Sequence, residues 1–261
     1  MSATRHAKDT AIGFFARQSW LFVVALTWAV QPCLAQQKLN QSGLLTSHTY
    51  DNSDWWSQLR RDDANQGVAV QKREPTVSNF KILGIELGDD DPLDKAAAKL
   101  GKAQSIHRGD ASTGRSQPCY SSVQDRPKRI HLVFETGEVS NWFYLFADGP
   151  DWSGSDLCVR SRLVTESLPV ASGLRLGQTP AEVKAILGKP SAVIGNKIIY
   201  SFALEKKTSS TDFDKLRQQH PELSEEDLHR NYEYYSLGAY IEVRFVQSKL
   251  SYLAVSKTEV Y

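Results

Sequence analysis

Two stretches of the chain carry the same order of apolar and punctuating residues. Gly84-Ile-Glu-Leu-Gly88 and Gly173-Leu-Arg-Leu-Gly177 are short apolar segments bounded by glycine, and each leads into a helix start of the same kind, Asp91-Pro92-Leu93-Asp94 and Thr179-Pro180-Ala181-Glu182. In such a start the cap side chain accepts from the N–H of the third helical position. Proline at the first position gives up a donor that had no partner, and the acid faces the positive helix end. The two helices stop at Leu100-Gly101 and Leu187-Gly188, where glycine takes a left-handed closing conformation. Helices of about nine residues do not stand alone in water, so both must lie on a sheet.

Period-two alternation supplies that sheet. Val77–Leu83 alternates, Ala103–Asp110 and Pro118–Val123 read as weak strands, and Arg129–Glu135 and Asn141–Ala147 as strong ones joined by a hairpin at Thr136-Gly137-Glu138. In Asn141–Ala147 both faces are apolar, with Phe143 and Leu145 on one and Trp142, Tyr144 and Phe146 on the other. Cys158–Val164, Lys197–Leu204, Ala239–Val246 and Lys249–Ser256 complete the strands. The last pair repeats the spacing of the first hairpin, since Phe134 to Val139 matches Phe245 to Leu250. Between strands of the second copy lies an insertion, residues 206–233. Its Leu223, Ser224, Asp227 and Leu228 sit where a hydrophobic staple and a capping box require them, which predicts a polar helix running into Tyr232, Tyr234 and Tyr235.

The fold class expected is therefore α+β: two tandem repeats, 76–165 and 166–261, each a short helix packed on an antiparallel sheet, with the helical insertion in the second. Residues 36–75 are rich in Gln, Ser, Thr, Asn and Asp and read as a flexible lead-in, interrupted by Ser53–Arg60 with Trp55 and Leu59 on one face of a short helix.

Composition changes the picture mainly at the N-terminus. Arg5, Lys8 and Arg17 precede an apolar run, Leu21–Val30. At about ten residues it suits a signal-peptide core and falls short of the ~20 that span a bilayer. Cys33 and Ala35 fit the small-residue positions of a leader-peptidase site, so residues 1–35 read as a signal peptide. The alternative, an outer-membrane lipoprotein anchored at Cys33, meets a bulky and a cyclic residue at Gln31 and Pro32. The expected location is the periplasm or outside the cell, with no stable membrane span once the leader is gone. Cys119 and Cys158 then remain, an even count in an exported chain, and read as a structural disulfide. No His or further Cys stands near either at ligand spacing, which argues against metal there. A net charge of +1 gives no pull toward nucleic acid.

The Gly-x-x-x-Gly-x-[Thr/Asp]-Pro-helix-Leu-Gly-Lys-Pro unit followed by antiparallel strands resembles the SmpA/OmlA (BamE-like) repeat. Two in tandem resemble the arrangement of beta-lactamase inhibitory protein. The likeness covers residues 77–257, and it implies a scaffold of short helices on antiparallel sheets that works by protein–protein contact in the bacterial envelope. The sequence differs from the first pattern in lacking a lipobox and from the second in its inserted helix and long lead-in. No site residue carries over from either.

The residues themselves offer few chemical constellations. His6, His48, His107, His131, His220 and His229 have no partner at metal-binding helical spacing, and there is no nucleophile elbow or phosphate loop. Asp89-Asp90-Asp91 lacks the glycine and closing Glu of a calcium loop, while Asp148–Asp156 gathers three carboxylates and Trp152 on one turn-rich segment. No cofactor is implied. The function expected is a non-enzymatic binding or assembly module whose partner is another envelope protein. Its surface is the sheet face opposite the helices, with Trp142, Tyr144, Phe146, Trp152, Tyr240 and Arg244 as the candidate binding residues. The alternative is an envelope hydrolase with a site near His131, Glu135 and Asp148.

Overall fold

The computed structural model describes residues 68–88, 91–104, 106–108, 115–125, 127–137, 140–149 and 158–261. The leader, Cys33, the Trp55 segment, Asp89, Asp90, Trp152 and most of the Asp148–Asp156 loop lie outside the described residues.

The molecule is mixed α+β, with one large sheet as its centre. A small hairpin, β1 (Lys81–Ile82) and β2 (Ile85–Glu86), precedes helix α1 (Pro92–Leu100). The large sheet takes β3 (Ile106–Arg108), β4 (Arg115–Gln117), β5 (Cys119–Ser122), β6 (Ile130–Gly137), β7 (Ser140–Ala147) and β8 (Val159–Ser161). Helix α2 (Pro180–Leu187) follows, then β9 (Ala192–Ile194) and β10 (Lys197–Lys207), helices α3 (Ser210–Gln219) and α4 (Glu225–Tyr232), and the long closing strands β11 (Tyr234–Val246) and β12 (Lys249–Val260). The main path runs β3-β4-β6-β7-β12-β11-β10-β9, with β5 beside β6 and β8 beside β5. Every pairing in this sheet is antiparallel except β5–β8, where Tyr120 sits opposite Val159.

The two hairpins β6–β7 and β11–β12 meet at the middle, where β7 and β12 pair from Phe146 opposite Tyr252 to Ser140 opposite Thr258. Alternation then sorts the side chains. Leu132, Phe134, Phe143, Leu145, Ile241, Val243, Leu253 and Val255 point to the helix side, where Ala96 and Leu100 of α1 and Val183 and Leu187 of α2 join them in one buried cluster. Matching glycines flank the two helices. Gly84, Gly88 and Gly101 have φ of 75°, 92° and 101°, and Gly173, Gly177 and Gly188 have 92°, 81° and 80°.

The helix starts differ where the sequence predicts likeness. Thr179 accepts from the Glu182 N–H and the Glu182 carboxylate reaches back to the Thr179 N–H, a complete capping box. Asp91 instead sits at φ 52°, ψ 57° and makes no side-chain capping hydrogen bond, so α1 starts on its proline and the Asp94 of its first turn. Gly101 and Gly188 close their helices at ψ 157° and −150°, outside the left-handed helical well predicted for them and in a region essentially reserved for glycine.

Two other expectations are corrected. The insertion holds two helices, capped by Ser209 and Ser224, whose Phe213, Leu216 and Leu228 bury one another in a small cluster of their own. The end of the lead-in is fixed in place: Gln71 N donates to Ser201 O at 2.8 Å, continuing the edge of β10 beyond β9, and Lys206 pairs with Glu74 at 2.6 Å.

Candidate functional site

The far face of the sheet collects the chemistry. Register sets it out in rows, because residues opposite one another on antiparallel strands share a face. One row runs His131, Phe146, Tyr252, Arg244. The next runs Val133, Tyr144, Ala254, Glu242, with Cys119 opposite Val133 at the β5 end. A third runs Glu135, Trp142, Ser256, Tyr240. Ring contacts follow these rows: His131 stacks on Phe146 at 5.1 Å, Phe146 lies 6.4 Å from Tyr252, and the Arg244 guanidinium stands over Tyr252 at 4.4 Å. Trp142 stacks on Tyr144 at 5.7 Å and leans on Tyr240 at 5.9 Å.

The face is not open, which corrects the expected exposure of the candidate binding residues. Tyr144, Phe146 and Arg244 are buried, Trp142 and Tyr240 are half-buried, and all five have interactions within the protein. Arg244 Nε donates to Glu242 Oε1 at 2.5 Å, and Tyr240 OH donates to Glu242 Oε2 at 2.8 Å, so Glu242 accepts from both its face neighbours. Burial holds the Tyr252 phenol well above its ordinary range.

At the other end of the first row stands a second group. The parallel pairing of β5 with β8 lays Cys119 beside Cys158, and the two form a disulfide with Cα atoms 4.6 Å apart. β5 also pairs with β6, Ser121 opposite His131, which sets the imidazole one step along the same face from Cys119. Asp148 N continues the β6–β7 ladder to Arg129 O at 2.9 Å. That bond brings the Asp148 carboxylate to His131 Nε2, 2.8 Å away.

His131 is fully buried, and burial holds its imidazole below the ordinary histidine range against the opposing pull of Asp148. The neutral ring carries its proton on Nε2, facing the carboxylate. Nδ1 is then a buried lone pair with no hydrogen-bond partner. A ring nitrogen of His131 and the two sulfurs lie within 4.8 Å of one another. The fold places a histidine beside both cysteines, a nearness that their spacing in the sequence does not show.

The residues of the alternative catalytic reading divide. His131 and Asp148 meet, but Glu135 lies four residues along β6, roughly 13 Å away at the rise of a strand. Glu135 accepts from Gln117 Nε2 at 2.5 Å and faces Arg115 at 3.5 Å.

A different aromatic group reaches the surface. At the far end of β11 and β12, Tyr261 packs against Tyr232 at 5.5 Å and Tyr235 at 5.3 Å, while Tyr234 and Tyr261 stay 48% and 45% exposed. No family model, curated protein or solved structure matches the chain.

Proposed function

We propose that the protein is an exported, non-enzymatic binding module of the bacterial envelope, built on a duplicated unit similar to the BamE-like repeat, and that it meets its partner protein through the tyrosines at the end of β11–β12. The duplication is supported by the paired glycines of positive φ before and after each helix and by the two hairpins that meet at β7–β12. Export is supported by the leader-like N-terminus and by the disulfide, since such bonds persist in oxidising compartments. Among the described residues no helix is long and apolar enough to cross a membrane.

The observation that carries the binding reading is the exposed tyrosine group. Tyr234 and Tyr261 are large, stiff and amphipathic; Tyr261 packs on Tyr232 and Tyr235, Tyr234 lies under the Lys207 ammonium on the other face of β11, and exposed aromatics of this kind make interface anchors. The insertion supports them from below: the Thr208 hydroxyl donates to Tyr232 O, and Thr208 N to Glu233 O at 2.9 Å. A hydrolytic reading finds less support, because the His131 imidazole is fully buried and its nearest sulfurs are tied in the disulfide.

The test is capture from envelope extract with a photo-crosslinking residue at position 234 or 261, beside the variant Tyr234→Ala/Tyr261→Ala. A partner crosslinked by both positions, with its affinity weakened by at least ~2 kcal/mol in the double variant and the thermal midpoint unchanged, is the result expected. Equal capture by parent and variant would remove this end of the sheet as the binding surface.

A further inference from the structure

We propose that reducing the Cys119–Cys158 disulfide turns the buried end of the far face into a site for one soft d10 metal ion, Cu(I) or Zn(II), held by the two thiolates and His131 Nδ1. Three independent features of the fold converge there. Both sulfurs and a ring nitrogen lie within 4.8 Å of one another, with Cys119 and His131 on the paired strands β5 and β6 and Cys158 at the residue that leads into β8. Nδ1 of the fully buried imidazole has no hydrogen-bond partner, an arrangement that costs free energy unless the lone pair serves something. Nε2 is engaged by the Asp148 carboxylate at 2.8 Å. A carboxylate on one ring nitrogen is how proteins fix the tautomer and orientation of a histidine whose other nitrogen ligates metal.

The donor set selects the ion. Two thiolates and an imidazole suit soft or borderline cations, and hard oxygen-seeking ions such as Mg(II) or Ca(II) gain nothing there. A water-poor pocket with three protein donors completes Cu(I), whereas Zn(II) takes three and looks for a fourth ligand. The chemistry balances in two steps. A dithiol donor gives two electrons and two protons, its own sulfurs closing to a disulfide as the Cys119–Cys158 bond opens to two thiols. Each thiol then loses a proton to solvent as its sulfur bonds the ion, and the neutral imidazole binds through Nδ1 without losing one. The oxidised protein has no thiolate to offer, so the disulfide gates the site.

The experiment uses the full chain carrying Cys33→Ser, so that only Cys119 and Cys158 can supply thiols. Oxidised and phosphine-reduced protein are each titrated with Cu(I) and with Zn(II) against chromophoric chelators. Near one equivalent of at least one of these ions should bind the reduced chain, with none competing successfully for the oxidised chain. His131→Gln should weaken binding at least about tenfold. Asp148→Asn, which leaves all three donors in place, should weaken it by about 10–100-fold through the positioning of the ring. Near-ultraviolet circular dichroism of the oxidised variants checks that the fold is kept. Failure of reduced protein to bind either ion, or parental affinity in both variants, would overturn the site.

Discussion

At Gln247 and Ser248 the chain turns from β11 into β12 through two residues, with φ of 50° and 59°. Positive φ at both central positions is the type I′ pattern, whose twist matches the flanking strands and which favours Asn-Gly. Side chains other than glycine cost roughly 1–2 kcal/mol each in that conformation. The β1–β2 turn solves the same problem half-way, with Leu83 at 53° and Gly84 at 75°. Both Gln247 and Ser248 are exposed, so no packing offsets the strain. The double change Gln247→Asn/Ser248→Gly is therefore expected to stabilise the protein by about 1 kcal/mol, part of the relieved strain being returned as extra freedom of glycine in the unfolded chain. Thermal unfolding followed by circular dichroism reads the outcome, and an unchanged or lower midpoint would show that the turn is not a source of strain.

Among the elements, β8 is the one whose attachment rests on side chains more than on backbone. Three residues pair in parallel with β5, Val159 packs against the helix-side cluster, and further ties are the disulfide and Arg160, whose Nη1 and Nη2 donate to the two Asp125 oxygens at 2.6 and 2.9 Å, Nη1 also to Ser122 O. Hydrogen bonds from Arg160, followed by the Arg129 guanidinium, hold the Asp125 carboxyl down at about 2. The sign follows directly. An unfolded aspartate takes its proton near ~3.9, before the folded one does, so the contribution of Asp125 is complete above that pH and is lost as pH falls toward 2. Asp125 is an exposed group, so the effect is small. Asp125→Asn should lower the thermal midpoint slightly at pH 7, and the gap from the parent should shrink as pH falls below ~4 and be mostly gone by about pH 2. A gap of the same size at both values would mean that the carboxylate charge is not what ties β8 down. The parts of this neighbourhood that the sequence made legible are the local ones. The β6–β7 hairpin, its two apolar faces and the nearness of His131 to Asp148 follow from alternation and turn position. The caps at Thr179 and Ser224 follow from side-chain chemistry within one turn. The parallel β5–β8 pairing does not, because the loops that decide it carry no periodic signal, and so the meeting of His131 with Cys119 and Cys158 was hidden. Helix α3 has a punctuated start at Ser209 and Asp212 and a buried face of Phe213 and Leu216, but its polar composition reads as loop.

For the whole molecule the question is whether the two proposed repeats make two folding units. The sequence divides naturally at about residue 165, yet the apolar cluster on the helix side does not: Phe80, Ala96, Phe134 and Leu145 from one half share it with Leu174, Val183, Ile241 and Val255 from the other. The main chain crosses the same line. Ile82 bridges Val170, Ala171 N donates to Lys81 O at 2.7 Å, and β7 pairs with β12 over seven residues from each strand. An isolated half would expose β7 or β12 as a long, flat, apolar edge, which is a liability that proteins avoid. It would also leave its helix, eight or nine residues long, on half a core. The described region should therefore unfold as one cooperative unit. Urea unfolding of the oxidised protein followed by tryptophan fluorescence, with Trp142 on the shared seam, and by far-ultraviolet circular dichroism should give coincident curves and a single midpoint. Phe143→Ala, on the helix side of the seam strand and fully buried, should shift both curves together by about 3–5 kcal/mol. Two resolved transitions, or a Phe143→Ala shift confined to one probe, would show instead that the halves fold independently and only dock along β7 and β12.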